Sequence, residues 1–236
     1  HDPVTGESLG LLVEEQRTNL ISSSVYTANA NGWTNGIAGG AIGTVTASVV
    51  NNPTGISDGV FNINGLDGIS FLGAFSPSIS SANVRTGSVF VRNNGGVKFQ
   101  IRLIFQTGGT YLAYGTQYDF NTGQFQDGIA GTTPPVSRTA EDFGNGWIRV
   151  SITGPDNNTG NTQNALLFYG STTTANYNYL FWGAQSEEGA FPTSYIPTTG
   201  STVTRAADVL TDTSTGANIR TLYAEFRSPG LGTQPI

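Results

Sequence analysis

The sequence predicts an all-β protein, an antiparallel jelly-roll-type β-sandwich, from three observations. Short apolar or alternating segments recur at loop-length spacing, and no stretch keeps a 3.6-residue hydrophobic period with capping residues, as a helix would. Turn formers fill the intervals: the chain has 32 glycines with many Ser, Thr and Asn residues, while charged residues are only 11%. No internal repeat is visible, which disfavours a propeller or a β-helix.

The first half of the chain supplies five candidate strands and one predicted hairpin. Residues 22–44 are rich in Ser, Asn and Gly around Trp33, which predicts a long surface excursion. Asn93 to Gly96 read Asn-Asn-Gly-Gly, and Asn-Gly accepts the positive φ of a primed turn, so residues 87–105 predict a β-hairpin. The candidate strands are Leu9–Val13, Val45–Val50, Ile69–Phe75, Gly87–Arg92 and Val97–Phe105.

The second half supplies five more candidate strands around one proline-containing loop. Residues 127–136 include Pro134 and Pro135 and predict a loop, because proline cannot donate to a strand ladder. Residues 146–153, GWIRVSIT, alternate well, with Trp147, Arg149 and Ser151 on one face and the aliphatic residues on the other. The candidate strands are Tyr111–Phe120, Gln124–Gln126, Gly146–Thr153, Ala165–Tyr169 and Asn178–Gly183.

These strands predict one jelly-roll domain over residues 1–210, followed by a linker and the start of another segment over residues 211–236. Thr221–Phe226 alternates like a fresh strand before a Pro/Gly-rich tail. The chain contains no methionine and begins at His1. We therefore expect it to be a processed product or a piece of a longer polypeptide.

The charge distribution argues against nucleic-acid and membrane partners. The net charge is −6, and the single lysine, Lys98, and the scattered arginines form no basic patch. No apolar run approaches the roughly 20 residues that span a bilayer. We expect no nucleic-acid binding and no membrane insertion.

Residue content also limits the chemistry that the chain can perform. It has no cysteine and one histidine, His1, which argues against thiol nucleophiles, a Ser-His-Asp triad and histidine metal sites. We assign no catalytic residue, no metal ligand and no cofactor. Calcium binding stays open, since it needs only oxygen ligands, but Asp2, Asp58, Asp67 and Asp156 fit ordinary turns better.

Four carboxylate clusters were weighed as acid/base pairs, as in a glycosidase. Neighbouring residues on a strand point to opposite faces, so an adjacent pair on a strand cannot act as its own acid/base couple. We expect these groups to form local salt bridges instead, for instance with Arg17 or Arg205. The clusters are Glu14/Glu15, Glu141/Asp142, Glu187/Glu188 and Asp208/Asp212.

The aromatic residues divide into a predicted core set and a predicted exposed set. Trp147, Phe181 and Trp182 lie in candidate strands and are expected in the core. The exposed set, in polar surroundings, is Trp33, Tyr111, Tyr114, Tyr118, Tyr169, Tyr177 and Tyr179. Because sugars stack on aromatic rings and bond to amides and hydroxyls, we take Trp33, Tyr111, Tyr114, Tyr118 and Tyr177 as candidate carbohydrate-binding residues. A weakly charged surface of this kind suits a neutral polysaccharide, although Tyr and Asn also serve protein interfaces.

Two segments near the ends of the chain carry a family resemblance. Residues 2–21, DPVTGESLGLLVEEQRTNLI, and residues 182–210, WGAQSEEGAFPTSYIPTTGSTVTRAADVL, resemble paired segments at the ends of a β-sandwich module in bacteriophage tail fibres, head fibres and spikes. GWIRVSIT is similar to an internal strand of that module. Leu11 and Val13 are expected to pair with the late strand, at Tyr179–Gly183 or Val203–Val209, and so to join the chain's ends.

The resemblance implies a non-catalytic module on the virion, similar to carbohydrate-binding jelly rolls. It implies that the module recognises a host cell-surface glycan, or acts as a spacer among other virion proteins in a homo-oligomeric fibre, often a trimer. The resemblance provides no list of sugar-binding residues. A purely structural assembly domain that binds no sugar is the alternative, and a polysaccharide-degrading enzyme is the least favoured hypothesis.

Overall fold

The described part of the chain is built from β-strands and contains no helix. The structure, a computed structural model, describes residues 12–27, 30, 32–36, 44–66, 71–76, 83–107, 110–156, 161–170 and 177–209. Its strands are β1 (Arg17–Asn19), β2 (Trp33–Gly36), β3 (Val45–Ala47), β4 (Phe61–Leu66), β5 (Phe71–Ser76), β6 (Val84–Asn93), β7 (Lys98–Thr107), β8 (Thr110–Asp119), β9 (Gln124–Gln126), β10 (Ser137–Asp142), β11 (Trp147–Pro155), β12 (Gln163–Gly170), β13 (Tyr177–Glu188) and β14 (Val203–Arg205).

Two six-stranded antiparallel sheets form the sandwich. The first sheet has the order β10-β11-β6-β13-β4-β3, and the second has the order β2-β5-β12-β7-β8-β9. The chain crosses between the sheets from β2 to β3, from β4 to β5, from β5 to β6, from β6 to β7, from β9 to β10, from β11 to β12 and from β12 to β13. The central strands β4, β13, β6 and β11 therefore face β5, β12, β7 and β8, which is the jelly-roll arrangement. The predicted fold class is confirmed.

The core lies between the two sheets and follows the two-residue period of the strands. On β7, Phe99, Ile101, Leu103 and Phe105 are all buried, while the residues between them point outward. Phe168 of β12 lies between rings from both sheets, with centroids 5.9 Å from Phe99 and 5.4 Å from Phe181. Such aromatic pairs contribute about 0.5–1.5 kcal/mol beyond the area they bury. The neighbouring Tyr114 and Tyr118 belong to the same core.

The predicted hairpin over residues 87–105 is wrong, because β6 and β7 belong to different sheets. The intervening turn exists, and the Asn93 side chain accepts hydrogen bonds from the backbone N–H of Gly95 and Gly96, at 2.9 and 2.7 Å. Beyond it, Tyr179 packs its ring against Gly96 and donates its hydroxyl to the carbonyl of Lys98. The chain thus leaves the first sheet beneath an aromatic ring instead of folding back onto β6.

The predicted alternation of β11 is confirmed, and both of its faces are buried. Val150 and Ile152 join the main core between the sheets, whereas Trp147 lies in a second cluster on the outer face of the first sheet. Trp147 donates its indole N–H to the carbonyl of Asn51, at 2.9 Å. Trp182 lies in that second cluster and Phe181 in the main core, so the predicted core set is buried.

The two chain ends cover the outer face of the first sheet. Strand β1 pairs with β14, with Arg17 opposite Arg205 and Asn19 opposite Val203. We call residues 12–27 and 189–209, which carry these strands, the clasp. The expected joining of the ends therefore occurs, but through β1; Val13 lies outside any strand, and Leu11 lies outside the described residues.

One buried amide anchors the clasp to the sandwich. Asn19 donates to the carbonyls of Ala184 and Ile196, at 3.3 and 2.9 Å. Its side-chain oxygen accepts from the backbone N–H of Ile21 and Ser186, at 3.1 and 3.2 Å. A fully buried amide is tolerated only when its donors and acceptors are satisfied, so Asn19 fixes the clasp in one position.

Several predictions fall outside the described residues. Residues 210–236, with the predicted linker and the Thr221–Phe226 strand, are among them, as are most of Leu9–Val13 and the adjoining N-terminal residues. The sequence patterns did not predict β1, β2, β4 and β10, whereas β14 lies within Val203–Val209, one of the two segments expected to pair with the N-terminal segment. Most of these strands are short or polar and lie at sheet edges or in the clasp, so they carry little of the period-two hydrophobic signal.

Candidate functional site

The two outer faces of the sandwich differ in what lies over them. On the first sheet, Phe90, Trp147 and Trp182 pack beneath Tyr195 of the clasp and Val50 of the β3–β4 connection. On the second sheet, the outward apolar cluster consists of Phe75, Ile104, Ala165, Leu167 and Tyr169. All of these residues lie on strands of that sheet and no described clasp residue joins them, although Ala165, Leu167 and Tyr169 are themselves only 4%, 8% and 8% exposed. We call this surface of the second sheet the open face.

Strand register determines which residues the open face presents. Gln100 pairs with Gln117 and with Tyr169, Arg102 with Gly115 and with Leu167, and Gln106 with Tyr111 and with Gln163. These side chains point to the same side of the sheet as the outward cluster. Along β7 and β8 they alternate with residues that point into the core. The open face therefore carries tyrosines, glutamines and one arginine in adjacent rows about 4.8 Å apart. Tyr111 is exposed, at 62%, whereas Gln100 and Tyr169 are buried, at 6% and 8%, and Thr132 lies against Gly115.

Arg102 lies near the middle of this surface and is held from two sides. Its guanidinium carbon lies 4.2 Å from the centroid of the Tyr169 ring, a cation–π geometry. Its Nη2 donates to Oε1 of Gln100, at 3.1 Å. Burial lowers the pKa of Arg102, with the neighbouring Tyr169 and Tyr111 acting in the opposite direction. The guanidinium is thus oriented and partly desolvated before any ligand arrives.

A second polar group lies toward β9. Gln126 accepts hydrogen bonds at its Oε1 from Nε2 of Gln117, at 2.8 Å, and from Nζ of Lys98, at 3.1 Å. The Lys98 ammonium also lies 3.8 Å from Asp119. Amide groups with spare donors and acceptors here can bond to hydroxyl groups of a bound molecule.

Of the predicted carbohydrate-binding residues, Tyr111 lies on the open face and is exposed, at 62%. The expected exposure is wrong for Trp33, Tyr114 and Tyr118, which are 1%, 7% and 7% exposed and belong to the main core. It is also wrong for Tyr169 and Tyr179, which are 8% and 0% exposed, while the side chain of Tyr177 lies outside the described residues. Only Tyr111 of the five candidates is both described and exposed.

These errors have simple physical causes. Residues 111 and 114 differ in strand parity, so Tyr111 points outward while Tyr114 and Tyr118 point into the core. Trp33 lies in a polar segment, but it donates its indole N–H to the carbonyl of Ser23, at 2.7 Å, and packs against Phe61.

Sequence reasoning missed Arg102 and Gln100 as members of the site. The available signal was their period-two spacing with the outward residues of the same strand.

The expected salt bridges form at Glu14 and Glu15, whereas Glu187 has hydrogen-bond partners instead. Glu15 pairs with Arg17, and Glu14 pairs with Arg205 at 2.6 Å. Glu187 is fully buried and accepts from the backbone N–H and hydroxyl of Thr193, at 2.9 and 2.7 Å. Each of these carboxylates therefore has a structural partner in or near the clasp. No group of three or more metal-ligating side chains occurs among the described residues.

Two hollows lie away from the open face. One, of about 430 Å³, is bounded by Gln124, Phe125, Val136 and Arg138 where β9 approaches β10. The other, of about 500 Å³, lies beside Tyr26, Val45 and Phe61. Arg138 pairs with Asp127 at 2.7 Å, so the cation at the first hollow is already neutralised. The first hollow combines an amide and a ring, Gln124 and Phe125, whereas the second has rings without an amide.

No family model matches the chain, and no curated protein matches it. In the part of the chain that the structure describes, no helix is long and apolar enough to cross a membrane.

Several solved structures are similar to the chain. One is the enzymatically active domain of tailspike protein 4 of bacteriophage CBA120, at 14% identity and a TM-score of 0.48 over 71% of this chain. A structure titled as CBM4 has 11% identity and a TM-score of 0.42 over 72% of this chain and 97% of its own. The CBM22-1 xylan-binding domain of Paenibacillus barcinonensis Xyn10C has 14% identity and a TM-score of 0.39, over 72% of this chain and 92% of its own.

The chain spans 21% of the tailspike structure. Similarity at this level concerns the β-sandwich fold alone.

Proposed function

We propose that the domain is a non-catalytic carbohydrate-binding module and that its ligand lies along the open face. The observation that carries the proposal is the combination on that face of an exposed tyrosine, an oriented guanidinium and rows of amide side chains. A pyranose ring offers C–H groups to an aromatic face and hydroxyl groups to amides and guanidinium. Tyr111, Arg102 and Gln117 supply these three kinds of contact.

A hydrolytic role has little support on this face. Glycoside hydrolysis needs two carboxyl groups placed across the scissile bond. Within the described strands of the second sheet, Asp119 is the one carboxylate, and Lys98 lies 3.8 Å from it. In this proposal the ligand is held and released unchanged.

The proposed setting is a phage fibre or spike displayed on the virion, in which the module binds a host surface polysaccharide. Its support is the resemblance of residues 2–21 and 182–210 to the paired end segments of such modules. The described parts of these two segments meet in the clasp, where β1 pairs with β14. An architectural role for both segments leaves the opposite sheet available for ligand. The proposal includes assembly into a homo-oligomer, with a trimer as one possible form, beside other virion proteins.

A glycan array with purified protein tests the proposal. Tyr111→Ala should weaken binding about tenfold or more, because a lost aromatic platform costs on the order of 1.4 kcal/mol or more. Phe191→Ala is the matched control, since Phe191 is an exposed aromatic of the clasp, at 39%. An array without signal at high protein concentration, or full binding by Tyr111→Ala, would contradict the proposal.

A second candidate function, assembly without sugar binding, is favoured by the apolar part of the same face. Phe75, Ile104 and Leu167 form a contiguous cluster there, and such patches often serve protein contacts. Light scattering should then give an oligomer that Ile104→Asp dissociates into monomers. A monomer at all concentrations would exclude this candidate.

A further inference from the structure

Arg102 differs from most described basic residues in having no acidic partner. Arg17, Arg85, Arg138 and Arg205 each have a carboxylate within 4.0 Å, as does Lys98. Among the described residues no carboxylate lies that close to Arg102, whose contacts are Gln100 and the ring of Tyr169. These two groups fix the direction of the guanidinium without neutralising its charge.

The surroundings make that charge costly in the unliganded protein. Arg102 is partly buried, and burial lowers its pKa because the charged form loses contact with water. Its Nε is buried and donates no hydrogen bond to any described residue. A protein of net charge −6 has carboxylates available, yet the open face places none beside this group. An anionic group from outside the chain would supply the missing charge.

We propose, on the basis of the carbohydrate-binding function above, that the module selects glycans with a carboxylate-bearing sugar and that Arg102 binds this carboxylate. Tyr111, which pairs with Gln106 on the adjacent strand, provides the platform for the same sugar or its neighbour. The planar guanidinium matches a carboxylate through charge-assisted hydrogen bonds of about 2.7–2.9 Å. This specificity differs from the neutral polysaccharide expected from overall composition.

Strand geometry gives the acidic site a defined place on the open face. Lys98 lies four residues from Arg102 on β7, about 13 Å away along the strand. Its charge is already compensated by Asp119, at 3.8 Å. The preference for an acid therefore belongs to Arg102, and the Lys98 end contributes mainly amide contacts through Gln117 and Gln126.

The test compares each acidic polysaccharide with its carboxyl-reduced form. The probes are polygalacturonate, hyaluronan and acidic bacterial capsular polysaccharides, each printed beside the reduced polymer, whose carboxylates have become primary alcohols. We expect the acidic form of the recognised polymer to bind about 10- to 100-fold more tightly than the reduced form, the range typical of a hydrogen-bonded charge. The advantage should shrink as salt is raised.

Variants of the guanidinium complete the test. Arg102→Gln should remove the advantage of the acidic form, because its amide can still bond to hydroxyl groups but carries no charge, and Arg102→Lys should keep part of the advantage. Arg138→Gln changes the net charge equally but leaves the open face intact, so it should bind like the unmodified protein. Binding of the reduced polymer by Arg102→Gln also shows that the variant is folded.

The possible outcomes separate this inference from the proposed function. Equal binding of acidic and reduced forms, with both lost in Tyr111→Ala, would overturn the carboxylate inference and retain carbohydrate binding. An acidic preference that survives in Arg102→Gln would overturn the role of Arg102. No binding to any acidic or reduced polymer would overturn both proposals.

Discussion

Single side chains set the path of the chain between the two sheets. Tyr179 is fully buried on β13 of the first sheet, and its hydroxyl donates to the carbonyl of Lys98 at the start of β7 in the second. Its ring lies so close to Gly96 that a β-carbon there would overlap it. One phenol therefore joins the sheets at the point where the sequence pattern predicts a hairpin.

Removing this hydroxyl should lower the free energy of unfolding. We expect Tyr179→Phe to cost about 0.5–1.5 kcal/mol, because the carbonyl of Lys98 loses its donor while the ring still fills its space. Urea denaturation monitored by circular dichroism measures this change. Tyr111→Phe, at a site that is 62% exposed, is the matched control and should be neutral. Equal stability of the two variants would show that the Tyr179 hydroxyl contributes nothing.

Single residues also show how much of the candidate site could be predicted from the sequence. Tyr111, Tyr114 and Tyr118 share one predicted strand, but only parity separates the outward residue from the inward pair. Polar composition does not report parity, so the predicted set combined surface and core residues. Arg102 could not be recognised from sequence for a related reason, because strand pairing across the sheet decides whether a carboxylate lies beside it.

At the scale of elements, the clasp is stabilised by polar contacts between the two ends of the described chain. Arg205 pairs with Glu14 at 2.6 Å, and Glu14 and Asp208 exchange two hydrogen bonds, each of 2.9 Å. Glu14 also accepts from the backbone N–H of Ser194, at 2.6 Å. The Glu14 carboxylate, whose side chain is only 13% exposed, thus accepts from Arg205 and Ser194, while the Glu14 backbone bonds to Asp208.

A double-mutant cycle should measure the coupling energy between Glu14 and Arg205. Combining Glu14→Gln with Arg205→Gln should give a coupling energy of about 1 kcal/mol, because the pair is mostly shielded from solvent. The pair Glu15–Arg17 is the control, since the Glu15 side chain is 57% exposed, and its coupling should be smaller. Thermal unfolding of the seven proteins measures both cycles. A larger coupling for Glu15–Arg17 would contradict this account of the clasp.

Elements with strong hydrophobic alternation were predicted from sequence, and the others were not. The pattern of residues 146–153 predicts β11, because its apolar residues recur at every second position. Strand β10, SRTAED, lies at an edge with most side chains exposed, so no pattern marks it. The residues Asn-Asn-Gly-Gly at 93–96 predict the turn correctly. The strands that this turn connects, however, depend on the position of Tyr179, which is more than 80 residues away.

For the molecule as a whole, buried phenols make stability sensitive to alkali. Burial raises the pKa of Tyr114, Tyr118, Tyr169 and Tyr195, although a hydrogen bond with Ser24 partly offsets the effect at Tyr195. In the unfolded chain these groups titrate near a pKa of about 10. The folded protein therefore holds its protons to higher pH than the unfolded chain does.

The sign of this linkage gives a defined prediction. The stabilisation is complete below pH ~10 and is lost as pH rises through the folded pKa values, because the unfolded chain releases its protons first. Urea unfolding at pH 7, 9, 10 and 11 should show a fall confined to the last two points. Tyr195→Phe should make that fall shallower. Stability that stays constant to pH 11 would contradict the burial of these phenols.

The antiparallel pairing of β1 with β14 has a mechanical consequence. Glu14 lies beside Asp208, so a pull that separates residues 12 and 209 acts first on this short ladder and loads its hydrogen bonds one after another. Such unzipping needs less force than shearing a whole strand at once. The clasp would open before the two six-stranded sheets bear tension. A pulling force on a tethered module would therefore leave the ligand-binding face intact.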